Sequence, residues 1–414
     1  LFSAGFAIAD TCAGLANASM ERSFGGICRW IGHCRVKIAI VHDWLVTYAG
    51  AERVLAELLA LYPAADLFAV VDYLPPADRA MLGGRPVRTT WLQRLPGIRR
   101  RYRSFLPLMP WAVEQLDLSG YELVISSSHA VAKGVLTRPD QPHICYCHSP
   151  MRYAWDMREE YLREAGLDSG VRGWAARLVL ERLRRWDLAN SRRVDHFIAN
   201  SQFIAERIRV SYGRQAAVVY PPVDTEYYTP AGEKAAFYLA ASRFVPYKRM
   251  NLIVQAFSRL PQRQLVVIGD GPQYEKARAD AGPNVTFLGY QPQDVMREYL
   301  RQAKAFVFAA KEDFGILPVE AQACGTPVIA YGAGGALETV RGLGIAADGE
   351  RPTGLFFAEQ TVASLAEAVE RFEANAAAFS PAACRANALR FSAERFRLEL
   401  AKQKLGQKLG PVPN

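Results

Sequence analysis

Apolar residues fall along this chain in short blocks. Each block runs into a polar or glycine-bearing turn, and a stretch of longer period follows. Residues 36–41, VKIAIV, are small and β-branched and predict a first buried strand. Blocks at 67–71, 123–127, 143–147 and 194–199 predict further strands in a first half. Blocks at 237–241, 265–268, 285–288, 305–309, 328–330 and 353–357 predict strands in a second half. Helical stretches are expected near 48–61, 172–193, after Ser201, and near 295–304, 318–325, 365–372 and 393–409. In the 172–193 helix, Leu178, Leu180, Leu183, Trp186 and Leu188 are expected to form the apolar side. Strands alternating with helices predict an α/β fold of parallel sheets covered on both faces. The polar segment TEYYTPAGEKA at 225–235 carries proline and glycine and reads as a linker. The expected organisation is then a first domain at 36–224, a second at 236–391 and a terminal helical segment at 392–414.

Residues 1–35 show little periodicity. Their small apolar run is broken by Asp10, and no basic segment precedes it, so a signal peptide fits poorly. The expectation is a loosely ordered leader foreign to the natural protein, such as an upstream translation extension. A genuine lineage-specific arm is the alternative.

Composition narrows the class. The chain has 414 residues, half of them hydrophobic, which suits two globular domains and excludes a disordered chain. Its formal charge of +9 points to acidic partners: nucleotide diphosphates, anionic lipid or nucleic acid. The seven cysteines are scattered, and Cys145 and Cys147 stand too close for the usual zinc pair. Reduced thiols in a cytoplasmic compartment are expected. No uncharged apolar run reaches the length of a membrane span.

Residues 88–111 mix Arg94, Arg99, Arg100, Arg101 and Arg103 with Trp91, Leu95, Tyr102, Phe105, Leu108 and Trp111. Rings at headgroup depth beside arginines suit an anionic membrane surface. The bland alternative is a solvated basic face over a packed apolar one. Nucleic acid would suit the same mix, but no nucleic-acid motif supports it and none is expected as a partner.

The densest chemistry lies in KEDFGILPVEAQACGTPVIAYGAGGALE, residues 311–338. It reads as loop, short helix, strand and glycine-rich loop. A helix start offers free N–H groups and a positive dipole end, which favour phosphate. Phe314, Gly315, Ile316 and Leu317 supply that start. A carboxylate further in accepts from sugar hydroxyls. Glu320 then suits a ribose and Glu312 a transferred sugar. A second candidate loop, HSPMRYAWD, follows the strand at 143–147 and holds His148, Arg152 and Tyr153. Open α/β sheets bind ligands beyond the carboxyl ends of their strands, which favours this loop. His42, Asp43 and Trp44 end the first strand, and His129 is a weaker candidate of the same kind. The turn holding Gly269 and Gly271 is not a dinucleotide fingerprint, because Tyr274 stands where a third glycine would be. It is expected to face the nucleotide base.

Glu312, seven residues and Glu320, within EDFGILPVE and followed by ACGTPVIA, resemble the E-x7-E signature of retaining glycosyltransferases. The chain from 36 to 409 is similar to glycosyltransferase family 4, which has the GT-B fold. The resemblance implies two Rossmann-like domains facing a cleft and a C-terminal helix crossing back to the first domain. Arg243 and Lys248 match the family's R-x4-K element, which contacts the donor's phosphates. His148 matches a histidine near the transferred sugar. Gly50 sits in Ala49-Gly50-Ala51-Glu52, where the family usually has Gly-Gly-x-Glu near the diphosphate. The departure at Ala49 weakens that assignment. Catalytic roles are expected for His148, Glu312, Arg243 and Lys248. Donor binding is expected at Gly50, Arg243, Lys248, Gly269, Gly271, Glu312, 314–317 and Glu320, and acceptor contacts at His42, Asp43, Trp44, Arg152 and Tyr153. No Asp-x-Asp occurs, so neither a metal nor another cofactor is expected beyond the nucleotide-sugar substrate.

The resemblance implies hexose transfer with retention, by front-face departure and attack, to a glycan or lipid-linked glycan. HDWL and HSPMRYAWD resemble bacterial surface-polysaccharide transferases, often users of GDP-mannose. A UDP-hexose donor is the alternative, as is a non-catalytic subunit that has kept the fold. An epimerase or a phosphorylase is a further rival. Related enzymes of lipid-linked glycan synthesis dock through a basic, aromatic face, so a cytoplasmic site at the inner face of the cell membrane is expected.

Overall fold

The computed structural model describes residues 36–346 and 349–403. The expected leader at 1–35 and residues 404–414, where the terminal helix is expected to continue to 409, lie outside the described residues, with Cys12, Cys28 and Cys34. The four cysteines within them, Cys145, Cys147, Cys324 and Cys384, are buried and free.

The first sheet has seven strands: β1 (Ile38–His42), β2 (Asp66–Ala69), β3 (Val87–Thr89), β4 (Leu123–Ser128), β5 (His143–Cys147), β6 (His196–Ala199) and β7 (Ala216–Val218). Their order is β3-β2-β1-β4-β5-β6-β7 and every pairing is parallel. The second sheet has six: β8 (Phe237–Ala241), β9 (Gln264–Ile268), β10 (Val285–Phe287), β11 (Ala305–Phe308), β12 (Val328–Tyr331) and β13 (Gly354–Phe357). Its order is β10-β9-β8-β11-β12-β13, again all parallel. These are two Rossmann-like α/β domains. In each, the order reverses between the first strand and its neighbour, β1 beside β4 and β8 beside β11. Chains leaving a sheet on opposite sides at such a point open a crevice at the carboxyl ends of the strands.

Burial on both faces explains the unbroken apolar strands. Ile38, Ile40, Ile125, Ile144 and Tyr146 pack under helix α1 (Gly50–Leu61) through Val54, Leu55, Leu58 and Leu59. Ala39, Val41 and Val124 face the other way, toward Met109, Ala112 and Val113. Each such aliphatic side chain contributes roughly 1.5–3 kcal/mol relative to exposure.

Helix α2 (Gly170–Ser191) turns most of its expected apolar side inward: Leu180, Leu183 and Trp186 pack on one cluster of the first domain and Leu188 on another. Leu183 is fully buried among them, whereas Leu178 is exposed with Val171 and Trp174. The departure from expectation is confined to the first half of the helix. Helix α3 (Gln202–Tyr212) starts at Ser201, whose hydroxyl accepts from the Ile204 amide as expected of a cap. The 225–235 segment is not a loose tether: Tyr228 is buried and Lys234 Nζ bonds to the Arg301 carbonyl.

The last described helix, Ala393–Lys402, crosses back to the first domain. Phe396 and Leu400 join that domain's core, and the Phe396 ring lies 5.8 Å from Tyr146. Arg397 Nη1 donates to Glu57 Oε2 of α1 at 2.7 Å.

Candidate active site

Register decides which side chains meet at the first crevice. His42 on β1 pairs with Ser127 on β4, and Ser127 pairs with Tyr146 on β5. Paired residues share a face, and His148 lies two residues beyond Tyr146, so it returns to that face. His42 Nδ1 is 3.1 Å from Ser127 Oγ, and Ser127 Oγ is 2.8 Å from His148 Nε2. Burial, with His129 and His42 nearby, holds His148 well below its ordinary pKa, so its ring is neutral.

Asp43 corrects one sequence expectation. Its carboxylate accepts from the amides of His129, Ala130, Val131 and Ala132, at 2.6 to 3.0 Å. Burial opposes its charge, but His129, His42 and these amides outweigh burial and lower its pKa. Asp43 and His42 are both 0% exposed. Asp43 anchors the loop after β4, His42 faces Ser127 and Glu52, and neither is a surface contact for an acceptor. Trp44 remains part-exposed, against Tyr102 and His129.

In the second domain, β11 delivers the Glu312 loop. Gly315 at φ 86 turns this loop into helix α4 (Ile316–Ala323), a conformation that favours glycine. The start lies at Ile316, two residues before Pro318. The glycine-rich turn after β12 supports the loop by close contact: a Cβ on Gly335 would lie 2.3 Å from Phe314 Cα. Lys248 and Glu312 form a direct ion pair, both mostly buried. Arg243 stands exposed at the end of β8. Gly269 and Gly271 have positive φ and press on the backbone of Ser242 and Phe244, so they shape the Arg243 loop directly.

The two crevices are joined by contacts that sequence reasoning missed. Arg53 of α1 pairs with Glu320 of α4. Asp313 pairs with Arg152, and its Oδ1 accepts from Arg207 Nη1 at 3.1 Å. Ser201 Oγ donates to the Asp313 carbonyl at 2.6 Å. Helix α5 (Ala336–Thr339) carries Glu338, whose carboxylate accepts from the Gln202 and Phe203 amides at the start of α3. A Cβ on Gly50 would lie 2.8 Å from Ile316 Cδ1, so α1 and α4 meet end to end. The loop of His148 and the loop of Glu312 are thereby bound together, through Arg152 and Asp313. Tyr153 packs beside Tyr161, with ring centroids 6.0 Å apart. A local signal existed for part of this: the same-face series Ile38-Ile40-His42 and Leu123-Ile125-Ser127 each end on a polar residue. None existed for Arg53, Arg207 or Glu338.

Comparison with known proteins agrees with this architecture. The profile described as Glycosyltransferase Family 4 matches residues 48–227, and that described as Glycosyl transferases group 1 matches residues 229–390. A D-inositol 3-phosphate glycosyltransferase of Mycobacterium sp. strain KMS is 32% identical over 173 residues, 36% of this chain and 39% of that protein. A GDP-mannose-dependent monoacylated alpha-(1-6)-phosphatidylinositol monomannoside mannosyltransferase of Corynebacterium glutamicum is 32% identical over 179 residues, 36% of this chain and 47% of that protein. The matched part thus spans less than half the length of these relatives. Among solved structures, Anabaena HepE in complex with UDP and glucose superposes with a TM-score of 0.62 at 18% identity, over 89% of this chain and 98% of HepE. Sucrose-phosphate synthase from Thermosynechococcus elongatus gives a TM-score of 0.66 at 20% identity, over 88% and 98%. At such identities the structures speak for the fold alone. The two profiles meet in the segment between the domains and together run from 48 to 390, and the chain belongs to the family 4 glycosyltransferases of the GT-B fold.

Proposed function

We propose that the protein moves a hexose, with retention, from a nucleotide diphosphate sugar to a hydroxyl of a glycan or lipid-linked glycan. One observation carries this reading. The loop that presents His148 and the loop that presents Glu312 are bound to each other, with Lys248 on Glu312. A sugar seated between these loops would meet His148 on one side and Glu312 on the other. Its diphosphate would meet Arg243, Lys248 and the amides of Ile316 and Leu317. Breaking the glycosyl–phosphate bond leaves new negative charge on the diphosphate, and fixed cations and amides stabilise it. These groups would take the part a bridging metal plays elsewhere. Glu320 would accept from the ribose hydroxyls. In this reading the leaving phosphate oxygen takes the acceptor's proton as the acceptor attacks from the same face. Domain closure limits hydrolysis by excluding water.

GDP-mannose is the preferred donor, in line with the Corynebacterium relative named as GDP-mannose-dependent. A UDP-hexose is the second reading, favoured by the likeness to a protein solved with UDP and glucose. Thermal unfolding with GDP, GDP-mannose, UDP and UDP-glucose separates the two. A ligand at about 100 times its Kd stabilises by roughly 2.7 kcal/mol. Stabilisation by GDP and more by GDP-mannose supports the first reading; a shift with UDP compounds alone replaces the donor. No shift with any of them counts against a transferase of these donors.

We also place the protein at the inner face of the cell membrane. Arg94, Arg99, Arg100, Arg101 and Arg103 are exposed, with Leu108 and Trp111 beside them. Tyr102, by contrast, is buried and packs on Trp44. No helix among the described residues is long and apolar enough to cross a membrane. Binding to vesicles with anionic lipid, and not to neutral ones, is the expected result. Equal partitioning would remove this placement.

A further inference from the structure

Below His148 lies a line of buried polar groups with no assigned part in the reaction. It begins at Glu52 in the first turn of α1. Glu52 Oε2 accepts the Ala49 amide at 3.0 Å, and Oε1 lies 3.5 Å from His42 Nε2. Nε2 is fully enclosed and makes no hydrogen bond, so the Glu52 carboxylate is the charge it faces. The line continues through His42 Nδ1 to Ser127 Oγ and from there to His148 Nε2. Glu52, His42 and Ser127 are all buried, and His148 keeps 9% of its surface open.

Donor and acceptor counting orients every bond in this line. An ionised carboxylate only accepts, so His42 Nε2 must carry the hydrogen facing Glu52. With His42 neutral its ring has one N–H, so Nδ1 is then bare and must accept. Ser127 has a single hydroxyl hydrogen and gives it to His42. Its oxygen then offers only lone pairs to His148, so His148 Nε2 must be the N–H. His148 Nδ1 is left bare, and it makes no hydrogen bond to any described residue.

We propose that Glu52, through His42 and Ser127, holds His148 in the tautomer with a bare Nδ1, so that His148 meets the donor sugar as a hydrogen-bond acceptor. The sugar must then offer a hydroxyl there, which makes the line a determinant of donor specificity. Deoxy sugars lacking that hydroxyl would be discriminated against. Glu52, His42 and Ser127 are positioning residues; His148 alone touches substrate. The consequence for the donor rests on the proposed seat of the sugar at His148, but the tautomer does not.

The test uses the full chain with nitrogen-15 histidine, observed at mildly alkaline pH. His148 is assigned by its loss in His148→Gln. Native His148 is expected to be protonated on Nε2 and bare on Nδ1. In Glu52→Gln, the Ala49 amide retains the side-chain oxygen and turns the amide N–H toward His42. Every bond in the line then reverses, and the His148 proton moves to Nδ1. The isosteric change preserves the fold, which the spectrum itself reports. In the Ser127→Ala background, Glu52→Gln should leave His148 unchanged, because the line is cut. A native His148 protonated on Nδ1 overturns the proposal, as would happen if His42 were protonated on both nitrogens. So does a tautomer indifferent to Glu52→Gln. In activity, Glu52→Gln should lower kcat/KM by about tenfold or more for the hydroxylated donor and much less for the deoxy analogue that lacks the hydroxyl facing Nδ1. Tautomer reversal with unchanged transfer would uphold the line and refute the seat of the sugar at His148.

Discussion

Arg53 and Glu320 stand 267 positions apart and form a direct ion pair that joins the first helix of one domain to the motif helix of the other. Burial opposes the charge on Arg53, and Glu320 outweighs it, so the guanidinium is held more firmly ionised than usual. The carboxylate proposed for the ribose is therefore one that also holds the domains together. Glu320→Ala should weaken GDP or UDP binding by about tenfold or more, since hydrogen bonds to a charged group contribute roughly 1.5–3 kcal/mol. Calorimetry with the ribonucleotide and its 2′,3′-dideoxy analogue checks the cause. The native protein should distinguish the two; Glu320→Ala should not. A variant that still distinguishes them would take the ribose away from Glu320.

Lys248 and Glu312 sit where a leaving diphosphate and a transferred sugar would meet. Lys248→Ala should lower kcat by about 10² to 10³, the usual cost of removing one preorganised donor from developing charge. Steady-state kinetics with Arg243→Ala alongside would show whether both cations serve the same step. Full activity in Lys248→Ala refutes the assignment.

Asp313 is the joint between the loop of His148 and the loop of Glu312. Its side chain is mostly enclosed, and it faces both Arg152 and Arg207. Asp313→Asn leaves two guanidinium groups short of a charge partner. The expected loss is about 2 kcal/mol, below the range for fully buried pairs because Arg152 is partly solvated. Urea unfolding measures it. Small-angle scattering should also show a larger radius of gyration in the variant, as the cleft opens. An unchanged radius would mean that other contacts suffice to keep the domains together.

His143 gives a pH dependence with a definite sign. Burial pushes its pKa down from 6.5 to about 4, and Ser126 Oγ lies 2.8 Å from its Nε2. The unfolded chain binds the proton more readily than the folded one. Stability from this group is therefore full above about 6.5 and falls as pH drops from there toward 4. The total is on the order of 3 kcal/mol. Urea midpoints across this window should fall less steeply in His143→Gln than in the native protein. Equal slopes would show that His143 takes up its proton as readily in the folded protein as in the unfolded chain, and so is not held neutral by burial.

Gly335 tests the packing of the motif loop. Its backbone is ordinary, but the space for a Cβ is filled by the Phe314 backbone. Gly335→Ala should cost about 1–3 kcal/mol through overpacking and should displace Glu312, lowering activity with it. A variant of native stability and activity would mean that the loop shifts freely.

Much of the fold could be read from local pattern. Strands such as β1, β5 and β8 lie within two residues of their apolar blocks, because a strand buried on both faces must be apolar throughout. On α2 only Leu178 was misplaced, since periodicity reports a face and not how far along the helix anything covers it. Asp43 was misjudged for a related reason. A carboxylate at the end of a strand looks available until four backbone amides are found around it.

What the chain's own order determined is local: the strand blocks, the cap at Ser201, and the spacing of Glu312 and Glu320. Each depends on residues a few positions apart, whose geometry is set by backbone sterics and short hydrogen bonds. What only the tertiary structure decided is which of these local pieces touch. Arg53 with Glu320, Arg152 with Asp313, Glu338 with the start of α3, and the line from Glu52 to His148 all depend on strand register or on the angle between two domains. Register emerges from packing a whole sheet, and the angle from closing one domain on another, so no short window of sequence contains either.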